Sequence, residues 1–151
     1  MTKRALAPTL AVITFALSGC GNGTLTAKEL RQQATVVCAA AVRRSDRIAI
    51  PRSNSGGAAF LDQGITVFRP ELAAVRKLVP PRSLADAYRA ALGDARQQLN
   101  ALIAADQNLA TGGDPVVAIN QLDVELTAID ARDLGAWRAV GAPACANLPL
   151  G

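Results

Sequence analysis

The chain offers little that could do chemistry, and what it offers is concentrated in sulfur and carboxylate. Three cysteines stand at Cys20, Cys38 and Cys145, and there is no histidine and one methionine in 151 residues. Without histidine there is no imidazole general base, no imidazole metal ligand and no His/Met haem site. A serine nucleophile needs a base beside it, commonly His. Ser45 fits a helix surface, while Ser53, Ser55 and Ser83 fit loops and caps. Carboxylates remain. Asp130 and Asp133 have i,i+3 spacing, but di-metal sites in helical bundles add a Glu-x-x-His motif on each of two helices. Solvated surface is the expectation for this pair, so neither a metal nor a cofactor is expected. Asp106, Asp123, Glu125 and Asp130 are the carboxylates a small enzyme of this sequence would use. Gly112-Gly113-Asp114 is too short for a phosphate loop and suits a helix stop and restart.

Sixteen basic against twelve acidic residues is too weak a bias for a nucleic-acid partner. Alanine makes up about a fifth of the chain, well above its usual share, and aromatic residues are 3%. That combination favours helix over sheet.

The first twenty residues carry the most specific signal. Lys3-Arg4 precedes a mostly apolar run from Ala5 to Leu17, too short to span a bilayer and broken by Pro8. Leu17-Ser18-Gly19-Cys20 closes it. A charged start, an apolar stretch and small residues at the end form an export-signal pattern. The closing tetrad resembles the lipobox of bacterial lipoproteins. The resemblance implies that the Cys20 thiol receives a diacylglyceryl group and that cleavage before Cys20 removes residues 1–19. It also implies a domain held on the extracytoplasmic face of a membrane in the cell envelope. Two or more acyl chains give stable anchoring where one does not. Removal of Lys3 and Arg4 leaves fourteen basic against twelve acidic residues.

An odd cysteine in an exported chain calls for an explanation. With Cys20 lipidated, Cys38 and Cys145 remain as an even pair, and an oxidising compartment permits their disulfide. Residues 20–25 then form a short tether, and 26–151 form the folded domain.

Four amphipathic helices are expected to build that domain. Helix 1 opens with Thr26 and Glu29 at capping-box spacing, and Leu30, Ala34, Val37 and Ala41 form its apolar face. Arg43, Arg44 and Arg47 load its far end, where the dipole favours them. Their distance from Cys20 argues for a solvated helix end rather than for lipid contact. Helix 2 runs from Ala58 to Val79 through Leu61, Ile65, Phe68, Leu72 and Val75. Pro70 lies inside it, so a kink or a break is expected there. Helix 3 opens at Ser83 with Asp86 as its capping partner and runs through Tyr88, Leu92, Leu99 and Leu102, with Gly93 as a weak spot. Helix 4 opens at Asp114-Pro115, carries Ala118, Leu122, Leu126, Ile129 and Ala136, and stops at Gly141.

Short connections imply antiparallel neighbours, hence an all-α up-down-up-down four-helix bundle with one disulfide. For Cys145 to reach Cys38, the segment beyond helix 4 must fold back or helix 4 must stop short. Tyr88 and Trp137 are expected in the core. The stretch from helix 1 to Val140-Gly141-Ala142-Pro143-Ala144-Cys145, with Pro80-Pro81 and Tyr88, also resembles small Cys-bridged helical lipoproteins, which implies a fold rather than an activity. The expected function is a structural or partner-binding role without catalysis. A carboxylate enzyme or a carrier of a hydrophobic small molecule are the alternatives. A deep cleft with convergent carboxylates would favour the enzyme, and a dry cavity between helices would favour the carrier.

Overall fold

A computed structural model describes residues 23–146. Residues 1–22, which include the expected leader 1–19 and Cys20, and residues 147–151 lie outside the described residues.

The chain folds as an all-α, antiparallel four-helix bundle: α1 (Ala27–Ser45), α2 (Gly57–Val75), α3 (Ala85–Ala110) and α4 (Pro115–Val140), with 3-10 turns at Asn54–Gly56, Arg82–Leu84 and Pro143–Cys145. Packing is sequential, α1 on α2, α2 on α3 and α3 on α4, the last pair being the most extensive. Two contacts draw the ends together. The Leu25 N–H donates to the Val79 carbonyl at 2.9 Å, and Arg31 Nε donates to the Val140 carbonyl at 3.0 Å. The start of α1 is thereby tied to the exits of both α2 and α4, as antiparallel topology requires.

Local chemistry sets two of the helix starts. Thr26 Oγ1 accepts from the Glu29 N–H while the Glu29 carboxylate accepts from the Thr26 N–H, a complete capping box. The Thr26 hydroxyl also donates to the Glu29 carboxylate, and with the Thr26 N–H it favours the charged form and lowers the Glu29 pKa from its ordinary value. Asp114 Oδ1 accepts from the Val116 and Val117 amides, with Pro115 at the first helical position.

Two expected boundaries are corrected. α2 ends at Val75 rather than Val79. A residue before proline is disfavoured in helical conformation, and Val79 precedes Pro80-Pro81. Its carbonyl is used by Leu25 and its side chain is exposed. Ser83 does not cap α3. It sits in a 3-10 turn, and Asp86 pairs with Arg89 at 2.9 Å on the surface instead. α2 passes through Pro70 as one helix. Pro70 is exposed, so the Thr66 carbonyl it deprives of a partner lies toward water.

The apolar stripe of α1 is Leu30, Ala34, Cys38 and Ala41, with Val37 only half-buried. α4 ends in a left-handed Gly141 (φ 84°), whose N–H and that of Ala142 return to the last turn. This Schellman closure reverses the chain, and the following turn carries Cys145 back to Cys38. The core has two parts. One joins Leu30, Ala34 and Cys38 to Val75, Tyr88, Ala91, Trp137, Val140 and Cys145. The other joins α2, α3 and α4 through Leu61, Phe68, Leu72, Leu99, Leu102 and Leu122, with no residue from α1.

Glycines in this frame divide cleanly. A Cβ on Gly93 or Gly135 meets nothing within 4 Å, whereas one on Gly141 meets Arg31 Nε at 2.6 Å at a positive φ. Gly93→Ala and Gly135→Ala are each expected to stabilise by about 1 kcal/mol. Gly141→Ala is expected to destabilise by about 1–2 kcal/mol. Thermal unfolding of the three variants checks these signs.

Candidate functional site

The disulfide is the first feature that chemistry defines. Cys38 and Cys145 are joined, 107 residues apart in sequence, with Cα atoms 5.0 Å apart. Both are buried. The bridge closes the middle of α1 onto the return turn after α4.

Beside it lies the aromatic pair. Tyr88 and Trp137 are 2% and 1% exposed, their rings edge to face with centroids 5.8 Å apart. The Tyr88 hydroxyl donates to the Val75 carbonyl at 2.6 Å, closing the last turn of α2. Burial pushes that hydroxyl well above its ordinary pKa. Both aromatics are therefore core residues, as expected from the sequence.

Two carboxyl groups are buried in the bundle, and they are what sequence reasoning missed. Glu71 is 2% exposed and Asp133 1%. Asp133 thus corrects the expectation of a solvated Asp130–Asp133 pair: Asp130 is exposed, but Asp133 faces inward. The signal was in the spacing. Glu71 lies three after Phe68 and four before Val75; Asp133 lies four after Ile129 and four before Trp137. Each carboxyl occupies a stripe position, along its helix, between residues of the two core clusters.

Burial raises Glu71 to about 8, with the charge of Arg44 pulling the other way. Asp133 is raised to about 7, first by burial and then by the neighbouring Asp94 and Asp130 charges. Trp137 and Gln98 approach Asp133 and offset part of this. Even so, Asp133 Oδ1, Glu71 Oε2 and Trp137 Nε1 have no hydrogen-bond partner of good geometry. Gln98 donates instead to Asp130 at 2.9 Å. Arg132 crosses from α4 to α3, with Nε 3.3 Å from Asp94 and another nitrogen 3.1 Å from the Gln97 oxygen.

The carboxylates named from the sequence are not brought together. Asp130 sits with Gln98. Asp123 is on the exposed side of α4. Asp106 and Asp62 border a groove of about 380 Å³ between α2 and α3, with buried Ile65 and half-buried Ile103 at its floor and exposed Thr66, Arg69, Pro70 and Gln107 around it, so it opens broadly to the surface. Glu125 borders a cavity of about 110 Å³ between α3 and α4, along with Ala101, Ala105, Asn108 and Gln121. That space is well below the ~300 Å³ at which small-molecule pockets begin, and its lining is partly polar.

Among the described residues no group of three or more His, Cys, Asp or Glu side chains is placed to hold a metal ion. No described helix is long and apolar enough to cross a membrane. Fold and site together define a small disulfide-clipped helical bundle. Comparison with protein-family models, with curated proteins and with solved structures finds no match.

Proposed function

We propose that this chain is a lipid-anchored, extracytoplasmic helical-bundle lipoprotein with a structural or partner-binding role and no catalytic activity. The observation that carries the reading is the buried Cys38–Cys145 bridge. It uses two of the three cysteines and leaves Cys20 as the one outside the pair, at the end of Leu17-Ser18-Gly19-Cys20. Structural disulfides persist in oxidising compartments outside the cytosol, which supports the export reading of residues 1–19.

The site geometry supports a binding or scaffolding role over chemistry. The strongly perturbed carboxyls are sealed in the bundle, and Asp106, Asp123, Glu125 and Asp130 border different features. Attachment through diacylglyceryl on Cys20 would hold the bundle by the end where α1 starts, with residues 20–25 as the link.

Replacing the anchor tests this directly. Cys20→Ser is expected to abolish membrane association on fractionation of cells, while a Ser18→Ala change, which keeps the small residue, retains it. Unchanged membrane retention of Cys20→Ser would count against the anchor.

A further inference from the structure

Charge in this protein is segregated. Residues 26–53 hold six basic against two acidic side chains, whereas residues 54–151 hold eight against ten. Between Arg96 and Arg132 five acidic residues stand without a single basic one. α1 and the turn after it are one positive part, and residues 69–96, with six basic against three acidic side chains, are another.

The helix sorts these charges by face. Leu30, Ala34, Cys38 and Ala41 point into the core. Arg31 is committed to the Val140 carbonyl at the exit of α4, and Arg44 is the positive charge that acts on buried Glu71 of α2. On the opposite side, at intervals of four or seven residues, lie Lys28, Gln32, Val36 and Arg43, with Arg47 in the turn just beyond the helix, all exposed. Val36 is 69% exposed in the middle of this row, and Ile50 is 73% exposed just beyond it, between Arg47 and Arg52. Among the described residues, the ion pairs Arg89–Asp86 and Arg132–Asp94 involve none of these side chains. Glu29 and Asp46 are the acidic residues beside the row, and Glu29 is held by the capping box with Thr26.

We infer that this outer face of α1 is a contact surface for an anionic lipid bilayer, along which α1 lies flat. Basic side chains near an anionic surface are each attracted by about 1 kcal/mol, and single apolar side chains among them gain by entering the headgroup boundary. This inference rests on the anchored reading proposed above. Only five residues separate Cys20 from Thr26 at the start of α1, so an anchored domain keeps the start of α1, together with the exits of α2 and α4, near the bilayer. The distance of Arg43 and Arg47 from Cys20, about 30 Å along the helix, is no obstacle once the helix lies parallel to the surface. The acidic stretch of α3 and α4 is then the part of the domain that an anionic surface repels.

The test uses the full lipidated chain purified from membranes. It carries Val36→Cys labelled with a polarity-sensitive dye and is reconstituted into phosphatidylglycerol or phosphatidylcholine vesicles. A second preparation places the dye at Val124→Cys on α4, next to Asp123 and Glu125. The Val36 dye is expected to shift to the blue on phosphatidylglycerol relative to phosphatidylcholine. High salt, or Arg43→Glu with Arg47→Glu, is expected to remove the shift. The Val124 dye is expected to report water on both vesicles. Protein that floats with both vesicles while its Val36 dye reports water on both would overturn this inference alone. The same holds if the Val124 dye shifts in its place. Failure to float with either vesicle would overturn the anchored reading and the inference with it.

Discussion

Replacing Cys38 and Cys145 together with alanine lowers the unfolding free energy by about 4–5 kcal/mol, the chain-entropy value for a loop of this length. The loop spans 107 residues, most of the described chain, so its closure restricts the unfolded ensemble strongly. For a domain of this size that loss corresponds to a fall in melting temperature of roughly 10–20 °C. The native side of the argument points the same way. α1 shares only one of the two core clusters and packs chiefly on α2 and on the turn that carries Cys145. Without the bridge, α1 keeps the Leu25–Val79 and Arg31–Val140 contacts and one apolar stripe. Amide exchange in α1 is therefore expected to quicken ahead of exchange in the α3–α4 hairpin. Circular dichroism melts of the bridged protein and the double variant check the magnitude. A melting temperature lowered by less than a few degrees would contradict it.

Stability is expected to be greatest in mild acid and to fall as pH rises toward 8. Glu71 is raised from its ordinary 4.5 to about 8, and Asp133 from 3.8 to about 7. Each group is raised on folding, so between those values the folded state holds a proton that the unfolded state has released. Stability then decreases with pH. The contribution is fully present below about 4, is lost progressively as pH climbs, and is gone once both folded values are passed. Each shift corresponds to a loss on the order of a few kcal/mol. The causes are physical and separable. Glu71 has burial against it and Arg44 partly for it, while Asp133 has burial, Asp94 and Asp130 against it. Arg132 is committed to Asp94 and Gln97. Glu71→Gln and Asp133→Asn remove the ionisation while keeping the shape. Each is expected to flatten the profile between pH 5 and 8, with its largest gain at pH 8. Urea unfolding across that range is the measurement, and equal slopes in variant and parent would refute the assignment.

Much of the bundle is legible in the residues. Asp114-Pro115 and the Thr26/Glu29 pair each specify a helix start through bonds that need no tertiary partner. The four apolar stripes follow from helical spacing alone. The fold-back to Cys38 is posed by the sequence as a requirement, and Gly141, the residue that tolerates φ 84° there, answers it. The misreadings have different causes. Val79 keeps the rhythm of α2, but Pro80-Pro81 disfavours helical backbone at its position, a local bias that here overrides periodicity although Arg69 before Pro70 stays helical. Ser83 has a capping partner at the right interval, yet the turn leaving Pro81 closes in 3-10 form with the Leu84 N–H on the Pro81 carbonyl.

Glu71 and Asp133 are the instructive pair. Their stripe positions are visible in the sequence, but a carboxylate is expected in water by default. Whether it is sealed depends on where three helices close around it, which spacing along one helix does not reveal. For Glu71 the flanking Phe68, Leu72 and Val75 all turn inward and carry it with them.

The intact mass of the mature protein, extracted from its native membrane and treated with a thiol-alkylating reagent under denaturing, non-reducing conditions, tests the account most directly. The predicted species begins at Cys20, carries diacylglyceryl, weighs two hydrogens less than its reduced form and takes up no alkyl group. A species that begins at Met1, bears no lipid and alkylates at three thiols would contradict it.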